Sequence, residues 1–493
     1  MNKQKYGVAA NYGAVNYSGM NVTVMGLGLH GGGLESALYL AGRGARVTVT
    51  DLRDEKILAP SIEKLESRAA AFSFPIRYVL GRHETADFKN AGFVVKNPGA
   101  RPDSPYLAAA PRIETDISIF IEASPARLTA VTGSKGKSST AAALHHVLAE
   151  AHKHSGGKAW LGGNIAVSPL SFLDDVSPGD DVVLELSSWQ LGDLPFCGGK
   201  TPFKPRAALI TAILPDHLDR YRTMEDYVAD KRFIYRGQDR GDITIAGDDA
   251  WGQSFREESP GRSLVHAGRE LPAGVSGGWC EGPQAPGFAR FYGENLPPGL
   301  REGETIEAVP SVLRTPGFHQ KRNLLAAALA LIDIGTNPGL VRESLGAFPG
   351  IEHRLEFFHE KNGVRFYNDT AATIPEAAAA AINALLEESP VIIAAGGSDK
   401  NLGFGPFVEA AAKAKGIVLL AGTGSDRLKD LLAAAGLSFH GPCASVDDAV
   451  RACLEMAGPG DAVVLSPGCA SFGMFLNEFD RGRKWKEAVC RIA

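Results

Sequence analysis

The sequence predicts an α/β protein of three domains built on mainly parallel sheets. Short β-branched runs alternate with Ala/Leu-rich stretches of helical period, the pattern of strands joined by crossover helices. That alternation restarts three times along the chain. At 493 residues and roughly 150 residues per domain, each of three domains can bury a core of its own.

The first unit, expected over residues 1–120, opens with the strand Asn21–Met25, the turn GLGLHGGG, a helical stretch from about Leu34 to Arg43 and the strand Arg46–Thr50 ending at Asp51. Residues 1–20 ahead of it read as a flexible extension. The second unit, 121–349, starts with the strand Arg127–Val131, passes through VTGSKGKSST into a helix near Ser138–Ala149, and adds strands at Asp181–Glu185 and Ala207–Ile213. Its tail, from about Trp251 to Val309, is rich in Gly and Pro and is expected to form short strands and loops. The third unit, 350–493, carries strands at Val391–Ala395, Gly416–Ala421 and Asp461–Ser466. Alanine runs such as Ala377–Ala381 read as helix packing between them.

Composition narrows the function. With 44% apolar residues, 51 Lys+Arg against 56 Asp+Glu and a net charge of -5, the chain is an ordinary globular protein without the basic footprint of a duplex nucleic-acid binder. Cys197, Cys280, Cys443, Cys453, Cys469 and Cys490 form no CxxC pair and no Cys/His cluster. A disulfide scaffold is ruled out, neither a structural zinc site nor a redox pair is suggested, and a reducing cytoplasm fits. The N-terminus has no apolar core of signal-peptide length, and no uninterrupted apolar stretch of ~18 residues appears along the chain, so neither secretion nor membrane insertion is expected. An anionic ligand must therefore be held by local positive charge and helix N-termini.

Two glycine-rich turns offer such places. Gly26, Gly28 and Gly31 match G-x-G-x-x-G, with Asp51 closing the next strand. This reads as a dinucleotide site, as in an NAD-dependent dehydrogenase, as a site for another nucleotide diphosphate, or as a tight strand-to-helix turn with no ligand. The second turn runs Gly133, Ser134, Lys135, Gly136, Lys137, Ser138, Ser139, Thr140. It follows an apolar strand and opens a helix, so its backbone N–H groups can cradle phosphates, Lys137 can reach the β and γ phosphates, and Ser138 can ligate Mg²⁺. Gly133 and Gly136 stand closer than in the longer form of that motif.

Two acidic segments belong beside it. Glu185 closes the apolar strand of LELSSWQL, and LPDHLDRY supplies Asp216, His217 and Asp219 after another strand. Carboxylates at the C-terminal ends of parallel strands lie where ligands bind in open sheets. Each alone is more often a loop or capping residue than a metal ligand; with the phosphate loop they compose a Mg²⁺-ATP site, since Mg²⁺ takes a few oxygen ligands plus phosphates and water.

In order along the chain, GSKGKSST, GGNIAVSPL, LELSSWQL, LPDHLDRY with Lys231, FHQKRNLLAA, GIEHRLEFF, NDTAATIP, GGSDKNLGF and LSPGCASFGMF with FDRG resemble the Mur ligases. The resemblance covers about residues 20–490. It implies an N-terminal Rossmann-like domain that binds UDP, a central P-loop ATPase domain, and a C-terminal Rossmann-like domain that closes over the site. It further implies ATP-dependent amide formation in peptidoglycan synthesis by a monomeric cytoplasmic enzyme that uses Mg²⁺. Within the superfamily, LSPGCASFGMF and GGSDK favour D-glutamate as the amino acid and UDP-N-acetylmuramoyl-L-alanine as its acceptor over other amino-acid ligases, folylpolyglutamate synthetase included. A dehydrogenase would leave GSKGKSST without a use, and a nucleotide-gated binding protein would not need Glu185, His217 and Lys231.

Residue by residue, the resemblance implies Lys137 on the ATP phosphates, Ser138 and Glu185 at one Mg²⁺, and His217 with a carbamylated Lys231 at a second. Gly26, Gly28 and Asp51 would serve the UDP-muramoyl substrate, and Asn164 would contact that substrate or a phosphate. Asn323, Arg354 and Asp369 would hold the nucleotide, with His353 nearby; Thr373, Lys400, Ser471 and Phe472 would hold D-glutamate. The sequence departs from the family at Ala371, where many members carry lysine, at Lys135 and Gln320, which replace asparagines, and at Glu478–Phe479, where the source of an aromatic wall is open.

Overall fold

The computed structural model describes residues 16–493 apart from 30, 70–71, 166, 199–201 and 218–219. Residues 1–15 of the expected extension and Asp219 thus lie outside the described residues. The last part of that expected extension is packed against the first sheet. Tyr17 is buried, its ring centroid 5.7 Å from that of Phe93 and 6.4 Å from that of Tyr39.

The described residues form three sheets. The first is fully parallel and runs Arg77–Leu80, Arg46–Asp51, Asn21–Met25, Phe93–Lys96, Ile113–Glu114. The second has nine strands in the order Thr305–Val309, Gly287–Arg290, Gly277–Trp279, Arg262–Ala267, Ile243–Gly247, Ala207–Ile210, Arg127–Thr132, Asp181–Glu185, Ala159–Gly163. It is parallel except where Gly287–Arg290 pairs with its two neighbours. The third runs Glu356–Lys361, Val364–Asn368, Ala462–Leu465, Val391–Ala395, Gly416–Leu420, His440–Cys443, with only the first pair antiparallel.

Parallel strands need both faces covered, which is why Asp181–Glu185, Val391–Ala395 and Gly416–Leu420 are buried at every position. The helix Phe318–Asp333 buries a continuous run from Leu324 to Ile332, which covers its whole circumference, between the central sheet and the helices Lys137–Ser155 and Pro338–Ala347. In each sheet the loops that leave the C-terminal ends of the parallel strands emerge on one edge, and both glycine turns and Glu185 lie there.

Some expectations on boundaries shift. Ala250–Glu258, expected as part of a strand-and-loop tail, is a helix because Asp249 caps it, Oδ1 accepting from Gly252 N at 2.8 Å. The strand after Ala207 ends at Ile210, so residues 214–217 lie in loop beyond it. In the first turn Gly33, outside the motif, makes the close approach: a Cβ there would stand 2.1 Å from the Gly26 carbonyl oxygen. All six cysteines are free, and among the described residues no helix is long and apolar enough to cross a membrane.

The first and second sheets' units are joined by buried polar contacts. Lys96, at the end of its strand, pairs with Asp193 at 2.5 Å, the two side chains 2% and 5% exposed. Asp116 accepts from Ser168 Oγ at 2.8 Å, and burial pushes its carboxyl above the usual range. A buried pair returns its desolvation cost only while both partners are present. Lys96→Met is therefore expected to destabilise the chain by about 3–5 kcal/mol, and Lys96→Met with Asp193→Leu to recover most of that. Urea unfolding of both variants checks this; equal losses in the single and the double would contradict it.

Candidate active site

The phosphate loop is held from behind. Ser134 N donates to Ala212 O at 2.8 Å, and its hydroxyl meets Leu214 O at 2.8 Å, Leu214 N at 2.9 Å and the Tyr227 hydroxyl at 2.9 Å. Ser134, expected to serve the nucleotide, thus spends its N–H and hydroxyl fixing the loop. Gly136 caps the helix Lys137–Ser155 with φ 91°, and a Cβ there would lie 2.5 Å from Asn323 Oδ1. Glycine is required on both counts, and Asn323 is brought against the loop. The N–H groups of Lys137, Ser138 and Ser139 form that helix's first turn, where they lack intrahelical partners.

Two amines meet above this loop. Lys137 Nζ donates to Gly133 O at 2.9 Å and Ser134 O at 3.0 Å, and Lys231 Nζ donates to the same Gly133 O at 2.9 Å. Burial lowers the Lys137 pKa, with Glu185 and Asp216 opposing. Lys231 is pushed down to about 7, first by burial and then by Lys137. It stands 4.4 Å above the Tyr227 ring. Tyr227 lies one helical turn before Lys231 and carries no motif of its own; its i, i+4 spacing from the lysine is the signal that places it on the same face.

Glu185 is 1% exposed. Its Oε1 accepts from Asn164 Nδ2 at 2.9 Å, while its Oε2 is buried without a partner. An orphaned carboxylate oxygen in a buried position is costly unless something cationic completes it, so this donor fits a hard divalent ion. His217 is on the loop beyond Ile210 with φ 54°, a left-handed conformation rare for a residue with a side chain. Its ring lies 4.9 Å from Trp189 and 6.3 Å from Tyr227.

The C-terminal unit faces the loop through Arg354, whose charge depresses the Lys137 pKa. Arg354 sits between two left-handed residues, His353 at φ 68° and Leu355 at φ 45°. Asp369 Oδ1 accepts from Leu355 N at 3.0 Å and Oδ2 from Ser466 Oγ at 2.6 Å, and burial lifts its carboxyl to about 7. Glu352, His353 and Glu356 could offer a metal three ligand atoms, but Lys486 already pairs with both carboxylates at 3.4 and 2.6 Å.

Among the residues expected to hold D-glutamate, Lys400 Nζ donates to Thr373 Oγ1 at 2.9 Å. Ser471 is buried and Phe472 is 69% exposed. Arg481, the arginine of FDRG, joins the two segments: it donates to Thr370 Oγ1 and Thr370 O at 3.0 Å and to Cys469 O at 3.2 Å. In the N-terminal unit Asp51 closes the glycine turn, Oδ2 accepting from Gly28 N at 3.1 Å and Oδ1 from Arg53 N at 3.0 Å. The carboxylate that a dinucleotide reading would give to a ribose already serves the turn.

Family models match three successive segments: the Mur ligase MurD-like N-terminal domain over residues 20–119, the Mur ligase middle domain over 131–285, and the Mur ligase glutamate ligase domain over 353–469. The chain is 38% identical to a UDP-N-acetylmuramoylalanine–D-glutamate ligase of Treponema pallidum, covering 96% of this chain and 97% of the relative. It is also 38% identical to the one of Roseiflexus, over 96% and 98%. In fold it is similar to UDP-N-acetylmuramate-alanine ligase of Thermotoga maritima, with TM-score 0.54, 18% identity and 96% and 100% of the two chains covered. MurF of Acinetobacter baumannii aligns with TM-score 0.55 and 15% identity over 96% and 94%. With these matches spanning nearly its whole length, the chain belongs to the Mur ligase family.

Proposed function

We infer that this protein is an ATP-dependent ligase that joins D-glutamate to UDP-N-acetylmuramoyl-L-alanine in peptidoglycan precursor synthesis. The observation that carries the reading is the phosphate loop where Lys137 and Lys231 converge beside the orphaned oxygen of Glu185. Relatives bearing that enzyme's name support the substrates. ATP and UDP-linked substrates put the reaction in the cytoplasm, and residues 1–120, 121–349 and 350–493 are the proposed UDP, ATP and amino-acid domains.

The muramoyl-alanine carboxylate attacks the γ-phosphorus of ATP, forming an acyl phosphate as ADP leaves. The amine of D-glutamate then attacks that acyl carbon, and phosphate departs as the amide forms. Two anions must meet in the first step, so the barrier is electrostatic. Lys137 and the first-turn N–H groups of its helix neutralise the phosphate oxygens. Asn323 and Arg354 contact the nucleotide, and Asp369 accepts from its ribose. Arg354 brings the C-terminal domain over the loop, where exclusion of water protects the acyl phosphate from hydrolysis. Ser138, Glu185, His217 and Lys231 are the proposed holders of Mg²⁺, which when bound supplies charge neutralisation between the two anions. Asn164 orients Glu185 and the muramoyl substrate, and Gly26, Gly28 and Asp51 shape the turn that receives its diphosphate. Thr373, Lys400, Ser471 and Phe472 receive D-glutamate.

Phosphate release that requires ATP, UDP-N-acetylmuramoyl-L-alanine and D-glutamate together tests the whole reading; release with neither acceptor nor amino acid, or none at all, would refute it. Lys137→Ala is expected to lower kcat on the order of 10²-fold or more with unchanged circular dichroism.

Lys231 is the proposed site of a carbamate. Its depressed pKa, about 7 against 10.5, leaves the amine neutral and able to add CO₂ as pH rises through 7. The folded state then binds fewer protons than the unfolded one between those values, so this group's contribution to stability rises with pH across that window. A carbamate resonance from ¹³C-bicarbonate should appear above pH 7, fade below it and be absent in Lys231→Ala. A signal unchanged in the variant would assign it elsewhere.

Lys400→Ala is expected to raise the KM for D-glutamate about 10- to 100-fold, the loss of one charge-assisted hydrogen bond, with little change in the KM for ATP. An unaltered D-glutamate KM would remove Lys400 from the amino-acid site.

A further inference from the structure

We propose that Arg220 is a positioning residue that ties the Asn97–Gly99 turn of the N-terminal domain to the His217 imidazole through the face of Trp189. The inference rests on the ligase reading, in which His217 serves the reaction and that turn lies beside the glycine turn of the substrate site.

His217 holds a left-handed backbone, φ 54°, a conformation that persists only where its surroundings over-determine it. The surroundings here are specific. Arg220 N and Tyr221 N both donate to His217 O, at 2.9 and 3.0 Å, so the backbone of Arg220 is tied directly to that of His217. The Arg220 guanidinium lies 4.2 Å from the Trp189 ring centroid, and the His217 ring lies 4.9 Å from the same indole. Trp189 Nε1 is buried without a partner. The indole is therefore placed by what packs on its ring and not by its own N–H.

From that stack Arg220 Nη1 reaches across the domain boundary to Pro98 O at 3.3 Å. The neighbouring Asn97 packs on the first glycine turn: a Cβ at Gly26 would lie 2.9 Å from Asn97 Cβ. Trp189 belongs to the helix Ser188–Asp193, which is itself pinned to the same N-terminal segment by Asp193 and Lys96. On the other side, the Tyr221 hydroxyl donates to Asp230 at 2.7 Å, next to Lys231. A planar guanidinium can stack and donate sideways at once, which an ammonium cannot. Arg220 thus makes the placement of His217 depend on the placement of the substrate turn.

The test compares Arg220→Ala, Arg220→Lys, Trp189→Phe and Trp189→Ala with the wild type by steady-state kinetics, direct binding of a fluorescent ATP analogue, and amide hydrogen exchange. Arg220→Ala and Arg220→Lys should each lower kcat about 10- to 100-fold, because the group they misplace acts in the reaction, while ATP affinity stays within about twofold. Trp189→Phe, which keeps an aromatic face, should recover most of kcat relative to Trp189→Ala. Trp189→Ala with Arg220→Ala should be no worse than either alone, as expected of one unit. Exchange should quicken at residues 97–99 and 214–222. Wild-type kcat in Arg220→Lys, additive losses in the double variant, unchanged exchange at 97–99, or loss of ATP binding along with kcat would each overturn the proposal. If the wild type itself releases no phosphate, the ligase reading fails, and the exchange pattern still decides whether Arg220 links the two segments.

Discussion

The structure turns on one backbone carbonyl. Gly133 O accepts from the amines of both Lys137 and Lys231, so two side chains that carry charge in water are held near each other in a mostly buried place. Like charges so close cannot both stay protonated cheaply, and Lys231, the more buried of the two, gives way. The cluster is thereby poised to receive anionic oxygen: a polyphosphate near Lys137 restores the balance from outside, and conversion of Lys231 to an anion would restore it from within. Ser134, Tyr227 and Leu214 hold the loop so that the amines cannot simply drift apart.

Around this point the fold supplies reach. Parallel sheets deliver strand ends to one edge, so Glu185, the Arg127–Thr132 strand and its loop stand side by side although they are far apart in sequence. In the proposed reaction the muramoyl substrate would extend from the N-terminal glycine turn to that loop, which requires a fixed distance between the two. Lys96 with Asp193, Asp116 with Ser168, and Arg220 with Pro98 fix it at one boundary. At the other, Arg354 is exposed and its neighbours His353 and Leu355 are left-handed, a segment shaped to present a guanidinium rather than to bury it.

The sequence made legible what repeats locally. β-branched runs bounded by glycine marked the strands, and contiguous motifs brought Gly133–Thr140 and Glu185 to light, because each motif is one strand end with its adjoining turn. Partners distant in sequence stayed hidden. Nothing in KNPG or GDLPF signals that Lys96 and Asp193 meet, and FDRG does not show that Arg481 clasps Thr370 and Cys469. The capped helix at Ala250–Glu258 was obscured by glycine-rich surroundings, although Asp249 stands at its start. Ser134 shows a second kind of hidden information: its hydroxyl braces the loop against Leu214, a contact that only the fold reveals.

The departure at Ala371 can be placed in the same terms. Ala371 N donates to His353 O at 3.0 Å, and its own carbonyl accepts from Thr373 N at 2.9 Å, so this position joins the Arg354 segment to the amino-acid side through backbone alone. Ala371 offers no cation there, and the connection is made by its backbone alone. Nearby positive groups are not equivalent substitutes: Arg427 is spent on Asp399 at 2.6 Å, and Arg481 is buried within its own backbone contacts. Lys400, by contrast, donates to the neutral Thr373 hydroxyl, and exchanging that bond for a carboxylate gains a charge-assisted one. Under the proposed reading, recognition of the second carboxylate of D-glutamate would therefore concentrate on Lys400, with Thr373 setting where its amine waits and Ser471 offering a hydroxyl.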